Sequence, residues 1–179
     1  MIRIISGIYK GKRLKRVVSP LVRPMPDKLK EALFNILREE VRGSVVLDGF
    51  AGTGSLGIEA LSRGAERAVF VDDYYPALKV IGINLAKCGA EAKGRILRKD
   101  FNRAVIQLAK EGEKFDLIFL DPPYKLLEER NPLKVIKKRE IIKPRGKIIL
   151  RHYHKTKLET KHFALKRQVT IGQDTISFY

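Results

Sequence analysis

Residues 45–57 read Val-Val-Leu-Asp-Gly-Phe-Ala-Gly-Thr-Gly-Ser-Leu-Gly, and this stretch decides the fold. An apolar run ends at Asp48, a glycine-rich turn follows, and Ile58-Glu59-Ala60-Leu61 opens a helical pattern. Gly52, Gly54 and Gly57 match G-x-G-x-x-G, and Asp72 lies 20 positions beyond Gly52, at the end of Ala68-Val69-Phe70-Val71. By spacing alone this is equally a dinucleotide fingerprint. Asp48 separates the two readings. A pyrophosphate held over the turn would be repelled by a carboxylate, whereas the ammonium and sulfonium of S-adenosylmethionine would be attracted. Asp72 is then placed to accept from ribose hydroxyls. Asp100, after Arg95-Ile96-Leu97-Arg98, is placed to receive the adenine amino group. Each acid alone reads as a solvated turn residue; three acids closing three successive strands point to an S-adenosylmethionine site.

Outward from this motif, strand and helix patterns alternate from Ser44 on. Strands are expected near 45–48, 67–72, 95–98, 115–120 and 147–151, which implies a parallel sheet with helices on both faces. The tail differs. Phe163–Thr170 and Asp174–Tyr179 read as two strands around Ile171-Gly172-Gln173, an antiparallel hairpin. Before the sheet, Arg3–Ser6 and Arg13–Val18 read as a hairpin, Pro20, Pro24 and Pro26 as a stiff linker, and Asp27 as the N-cap of a helix to about Glu40. The expected division is a basic extension and linker over 1–26 and a catalytic domain over 27–179.

The second motif is Asp121-Pro122-Pro123-Tyr124, directly after Phe115-Asp116-Leu117-Ile118-Phe119-Leu120. Ligands in open α/β sheets bind at the carboxyl ends of the strands, where this turn falls. Two prolines fix φ and remove two N–H donors, so the turn offers carbonyl acceptors. An acid, a bare carbonyl and an aromatic ring suit a planar group bearing an NH2: Asp121 and the Pro122 carbonyl accept its hydrogens, and Tyr124 stacks on its face. The competing reading is a strand-ending turn whose Asp caps the next helix.

Composition narrows the partner. Lys and Arg number 37 against 20 acids, a formal net charge of +17 in 179 residues, which favours a polyanion. Residues 1–30 carry Lys10, Lys12, Arg13, Arg23 and further cations against the single acid Asp27. A second basic stretch runs from Lys125 to Arg167. Any one such run is ordinarily a solvated face. The single cysteine, Cys88, reads as packing and fits a reducing cytoplasm. His152, His154 and His162 lack a zinc-like spacing, so no metal is expected. No apolar run approaches a membrane span.

The chain resembles, over nearly its whole length, the RsmD-like family of small-subunit ribosomal RNA guanine-N2 methyltransferases. The matching stretches are RIISGIYKGKRLK (3–15), RPMPDKLKEALFNIL (23–37), VLDGFAGTGSLGIEALSRGA (46–65), FDLIFLDPPY (115–124) and DTISFY (174–179). The cofactor loop and DPPY are shared with many amino-methyltransferases; the first and last stretches are more family-specific. The resemblance implies a Rossmann-like methyltransferase fold whose terminal hairpin completes a mostly parallel seven-stranded sheet. It implies that Asp48, Phe50, Ala51, Gly52, Gly54, Asp72, Asp73, Asp100 and Phe101 hold the cofactor, that Asp121, Pro122, Pro123 and Tyr124 are catalytic, and that a monomer acts on ribosomal RNA in an assembled or partly assembled small subunit. Lys10, Lys12, Arg13 and Arg23 are the expected phosphate contacts. The chain departs from the pattern at Gly49 (usually leucine), at Asp73 (often an apolar residue against adenine), at Lys143-Pro144-Arg145-Gly146 (more usually Pro-Gly-Gly) and at Arg151-His152 (commonly an acid, then His).

Three other classes remain to be weighed. A DNA adenine methyltransferase shares DPPY but usually carries a target-recognition region for which this chain has no room. A non-catalytic RNA-binding assembly factor has no reason to keep both Asp121 and the glycines. An NAD-dependent oxidoreductase is disfavoured by Asp48.

Overall fold

Parallel strands buried on both faces read as near-continuous apolar runs, and Val45–Gly49 (β3) is buried at every residue. In the computed structural model, which describes residues 2–19, 24–123, 126–127, 131–156, 158 and 161–179, this strand is the hub. The order of elements begins with β1 (Ile2–Arg3), β2 (Arg13–Leu14) and α1 (Asp27–Leu37), then β3 and α2 (Ser55–Ser62). It continues through β4 (Arg67–Asp72), α3 (Tyr75–Cys88), β5 (Gly94–Arg98), α4 (Phe101–Lys110) and β6 (Phe115–Leu120). It closes with α5 (Pro132–Arg139), β7 (Ile142–Tyr153), β8 (Arg167–Ile171) and β9 (Asp174–Phe178). The main sheet has seven strands in the order β5-β4-β3-β6-β7-β9-β8. Neighbours are parallel from β5 to β7, and β9 is antiparallel to both β7 and β8.

The period-2 alternation of side chains sorts the core into two layers. Val46, Phe70, Phe119 and Ile149 face α1, α2 and α3, while Leu47, Val69, Ile118 and Leu150 face α4 and α5. Among the described residues, no helix is long and apolar enough to cross a membrane.

The N-terminal segment is built into the first layer: Ile2, Ile4, Leu14 and Met25 belong to the same core as α1 and α2. Its hairpin strands are shorter than the sequence suggests because side chains take over the backbone bonds. The Ile5 and Ser6 N–H groups donate to the two carboxylate oxygens of Glu59 (2.8 and 3.0 Å). Lys15 exchanges bonds with the Asn84 amide (2.7 and 3.1 Å). Glu59 is fully buried and pairs with Lys30 (3.2 Å), which is 1% exposed, and with Arg63 (2.9 Å). Lys30 also donates to the Arg3 carbonyl (2.7 Å). Burial pulls the Lys30 ammonium below the ordinary lysine range, and Glu59 pulls it back up.

Three further expectations change. Pro26 occupies the N-cap of α1, and Asp27 sits in its first turn, accepting from Arg3 Nε (3.1 Å). The helix stops at Leu37 and a 3-10 turn, Arg38–Val41, follows. β7 starts at Ile142, ahead of the expected 147, with an irregular register against β6 between Phe115 and Leu117.

Removing one member of a buried ion pair typically costs 3–5 kcal/mol, because the other charge stays unpaired. Glu59→Ala should therefore lower the unfolding free energy by about 3–5 kcal/mol in urea titrations. Deleting residues 1–22 should destabilise comparably, since it removes Ile2, Ile4 and Leu14 from the core. A loss below about 1 kcal/mol in Glu59→Ala, the usual range for an exposed pair, would mean that the Glu59 cluster does not anchor the extension.

Candidate active site

The order of the sheet reverses between β3 and β6: β4 and β5 run out on one side of β3, and β6 and β7 on the other. The crevice at that reversal lies outside the carboxyl ends of β3 and β6, so both motifs meet there.

The glycine-rich turn is held by its own backbone and three side chains. Gly52 (φ 54°) and Gly54 (φ 75°) take left-handed conformations, and Phe50 (φ 65°) does so without a glycine's freedom. The Ala51 N–H donates to the Val71 carbonyl (2.9 Å), Gly52 N–H to Asp72 Oδ2 (2.8 Å) and Gly57 N–H to Asp48 Oδ2 (2.8 Å). Asn84 Nδ2 donates to the Thr53 carbonyl (2.9 Å). A Cβ on Gly57 would lie 2.3 Å from the Phe70 ring, so only glycine lets α2 approach β4 this closely. Burial pushes the Asp48 carboxyl well above its ordinary value, against the pull of the Gly57 N–H; Asp121 and Asp72 push it further up.

A cleft of about 400 Å³, counting its open mouth, is lined by Phe50, Val71, Asp72, Asp73, Lys99, Asp100, Phe101, Pro123 and Leu126. The Phe50 and Phe101 rings stack, with centroids 4.9 Å apart and planes at 25°. Phe101 reaches this position because residue 49 is glycine: a Cβ there would come within 2.5 Å of its ring. Asp72 uses one oxygen for Gly52 and the other for the Tyr74 N–H (2.9 Å), and still has lone pairs left. Burial pushes its carboxyl up, and these N–H bonds pull it back. Asp100 is the N-cap of α4, accepting from the Asn102 and Arg103 N–H groups (3.1 and 3.3 Å), and it also lines the cleft. Two stacked aromatics with acids on the rim fit an adenosine, and the acids fit a cationic tail.

Of the residues singled out from the sequence, Phe50, Asp72, Asp73, Asp100, Phe101 and Pro123 come together in this cleft. Ala51, Gly52 and Gly54 form the adjoining turn, and Asp48 braces it from beneath the surface, 1% exposed. Lys99, Val71 and Leu126 escaped the sequence reading, having no motif to mark them. Tyr124 and Arg23 lie outside the described residues. Asp121, one residue beyond β6, meets an unexpected partner: Arg151 Nη1 lies 3.0 Å from its Oδ2 and 3.4 Å from its Oδ1.

Lys10, Lys12 and Arg13 are exposed, but the hairpin tip sits away from the cleft. Tyr9 N–H donates to Ser62 Oγ (2.9 Å), and Lys12 Nζ donates to the Lys87 carbonyl (2.8 Å). Ser62 and Lys87 lie in the last turns of α2 and α3, which run back from the cleft to the opposite edge of the sheet. From there the chain climbs α3, where Val17 packs on Val80 and Ala77. Val18 is left 97% exposed.

A sheet of this order, parallel except for a last strand inserted antiparallel between β7 and β8, with its cleft over the first two central strands, defines the S-adenosylmethionine-dependent methyltransferase fold. Within that class, the chain belongs to the family described as Conserved hypothetical protein 95, whose model matches residues 2–179. It is 37% identical over 179 residues to YlbH of Bacillus subtilis, covering 99% of this chain and 97% of that one. To the Ribosomal RNA small subunit methyltransferase D of Haemophilus influenzae it is 32% identical over 177 residues, covering 96% and 89%. Hypothetical protein TTHA0928 of Thermus thermophilus superimposes with a TM-score of 0.86 at 27% identity, over 99% of this chain and 98% of that one.

Asp72 both ties down Gly52 and faces the cleft. A hydrogen bond to a charged group contributes about 1.5–3 kcal/mol, so Asp72→Ala should weaken S-adenosylmethionine binding by about ten- to a hundredfold in calorimetry. Unchanged affinity in a folded variant would remove Asp72 from the cofactor site.

Proposed function

We propose that this protein methylates the exocyclic N2 amine of a guanine in small-subunit ribosomal RNA. The observation that carries the reading is the placement of Asp121-Pro122 at the tip of β6, joined directly to Pro123 on the wall of the cofactor cleft. An amine acceptor presented there is within reach of whatever the cleft holds.

The cofactor, when bound, supplies an electrophilic methyl group on a sulfonium. The protein's task is to make a poor nucleophile attack it. The N2 lone pair of guanine is delocalised into the ring. Hydrogen bonds from the NH2 to the Asp121 carboxylate and the Pro122 carbonyl favour a pyramidal nitrogen with a localised lone pair. As the N–C bond forms, positive charge develops on nitrogen. A fixed carboxylate stabilises that charge more than it stabilises the neutral amine. The methylated ammonium is acidic and gives its proton to Asp121 or water, so no separate strong base is needed. Tyr124 stacks on a base that is unpaired or flipped out. Asp72 takes the ribose hydroxyls, Phe50 and Phe101 form the adenine side of the cleft, and Asp48 braces the turn beneath the cationic tail, whose charge favours the ionised form of that buried carboxyl.

The +17 charge supports a polyanionic substrate, as does the relative named as a small-subunit methyltransferase. We assign residues 1–26 as the RNA-gripping extension of a domain over 27–179. Lys10, Lys12, Arg13 and Arg23 are its phosphate contacts, on a partly assembled subunit met by a monomer in the cytoplasm. Because the hairpin tip lies at the edge opposite the cleft, contacts by Lys10, Lys12 and Arg13 would fall on RNA well away from the target base.

The test is mass mapping of nucleosides after incubation with small subunits, free ribosomal RNA and duplex DNA. N2-methylguanosine in the subunit RNA is expected; N6-methyladenine in the DNA would overturn the reading. Asp121→Ala should lower kcat by on the order of 10²–10³ with cofactor affinity near wild type. Tyr124→Phe should be mild and Tyr124→Ala severe, since stacking needs the ring alone. Equal loss in the two Tyr124 variants would refute the stacking role.

A further inference from the structure

A carboxylate at a strand tip rotates about two bonds unless something fixes it, and here the fixing group comes from the neighbouring strand. Leu120 pairs with Leu150 across β6 and β7, so the next residues along, Asp121 and Arg151, lie side by side. Both project to the face shared by Asp48. Arg151 is 6% exposed. Its Nη1 meets Asp121, while Nε and Nη2 both lie 3.1 Å from Asp174 Oδ1 at the start of β9. The guanidinium is planar and its donors point in fixed directions. With its Nε–Nη2 edge turned to Asp174, the guanidinium presents Nη1 to Asp121 in a fixed direction.

A purely structural pair is the competing explanation, and the geometry argues against it. Among the described residues, two acids share one buried arginine with a third acid, Asp48, close by, an excess of acid over base. Burying such an excess is costly, and an apolar trio in its place is often as stable or more so. That excess of acid is, however, what a nitrogen acquiring positive charge requires. Each carboxylate oxygen carries two lone-pair sites, so Asp121 keeps acceptors for an amine after Arg151 has taken its share.

We propose that Arg151, itself aimed by Asp174, is the positioning residue for Asp121: it sets the direction in which that carboxylate presents its remaining lone pairs to the substrate amine. This rests on the reading of Asp121 as the amine-binding acid. It also makes the C-terminal hairpin part of the catalytic apparatus, since Asp174 opens β9.

The charged groups facing Asp121 among the described residues are Arg151 from β7, Asp174 from β9 and Asp48 from β3. Burial raises the Asp121 carboxyl, Arg151 lowers it and Asp174 raises it. Methyl transfer needs the ionised form, so activity falls as pH drops through the Asp121 pKa. Two variants therefore shift the acid limb of kcat in opposite senses. Arg151→Met should move it to higher pH, and Asp174→Asn should move it to lower pH. Arg151→Lys keeps the charge without the planar fork. It should leave the limb near wild type and lower kcat by about ten- to a hundredfold, the scale of a misplaced reacting group, with S-adenosylmethionine affinity unchanged.

The experiment measures kcat against pH on whichever nucleoside the wild-type enzyme methylates, alongside 13C NMR titration of the Asp121 carboxyl in the full chain. Opposite shifts in both readouts support the positioning role. Should Arg151→Met fail to fold, the Asp174→Asn shift and the Arg151→Lys loss decide. Unshifted limbs with full activity in Arg151→Lys would overturn the proposal and leave a structural ion pair. Absence of N2-methylguanosine from the wild-type products would defeat the guanine reading alone, because the NMR titration needs no substrate.

Discussion

The working edge of this sheet hangs from one buried carboxylate. Asp48 is the penultimate residue of the central strand, its side chain turned toward α2, and the Gly57 N–H answers it at 2.8 Å. That bond exists because Gly57 has no side chain; the Phe70 ring fills the space where a Cβ would be. Helix, strand and acid are thereby locked at one distance, and the turn from Phe50 to Gly54 must span what is left. Its left-handed residues and its bond from Gly52 to Asp72 follow from that span. Loosening Asp48 would release the turn, the start of α2 and one wall of the cleft together.

Charge at this edge is arranged in depth. Asp48 lies beneath the surface, Asp72 and Asp73 on the rim of the cleft, and Asp121 across the reversal point of the sheet. Burial alone would push these acids toward neutrality. Backbone N–H groups oppose it at Asp48 and Asp72, and a guanidinium opposes it at Asp121. Burial is the larger effect at all three, so each carboxyl lies above its ordinary value; a cationic cofactor or a nitrogen becoming cationic supplies the nearby positive charge that favours their ionised forms.

How much of this could be read from the chain depended on whether a residue's partner was near in sequence. β3, β4 and β6 fell within a residue of expectation, since strands buried on both faces leave a mostly apolar run, broken here only by Asp116 in β6 and by polar residues at strand ends. The terminal hairpin was legible from its short glycine-bearing turn, but its first strand runs from Arg167 to Ile171 and not from Phe163 to Thr170. β7 was underestimated because its first half carries Lys143, Pro144 and Arg145, which do not look like a buried strand. The N-terminal strands were overestimated for a different reason. Ile5, Ser6 and Lys15 give their backbone bonds to Glu59 and Asn84, more than 50 residues away, and no local pattern announces that. In the site, motif residues were found and their supports were not. Asp100 had two legible roles, capping and cleft lining, and it performs both. Arg151 stood out only as a departure from a family pattern; its meaning came from the two acids that the strand register brings to it.

One side-chain amide ties the extension to the turn. Asn84, fully buried on α3, bonds the Lys15 backbone in both directions and holds the Thr53 carbonyl with the same nitrogen. The first strands of the chain are therefore not a detachable module. A hybrid made by transplanting another protein's N-terminal arm onto this domain would inherit a mismatch at Asn84, and the cost would surface at the glycine turn rather than at the graft. In this architecture a change made in the first fifteen residues is felt, through one amide, at the turn that shapes the cleft.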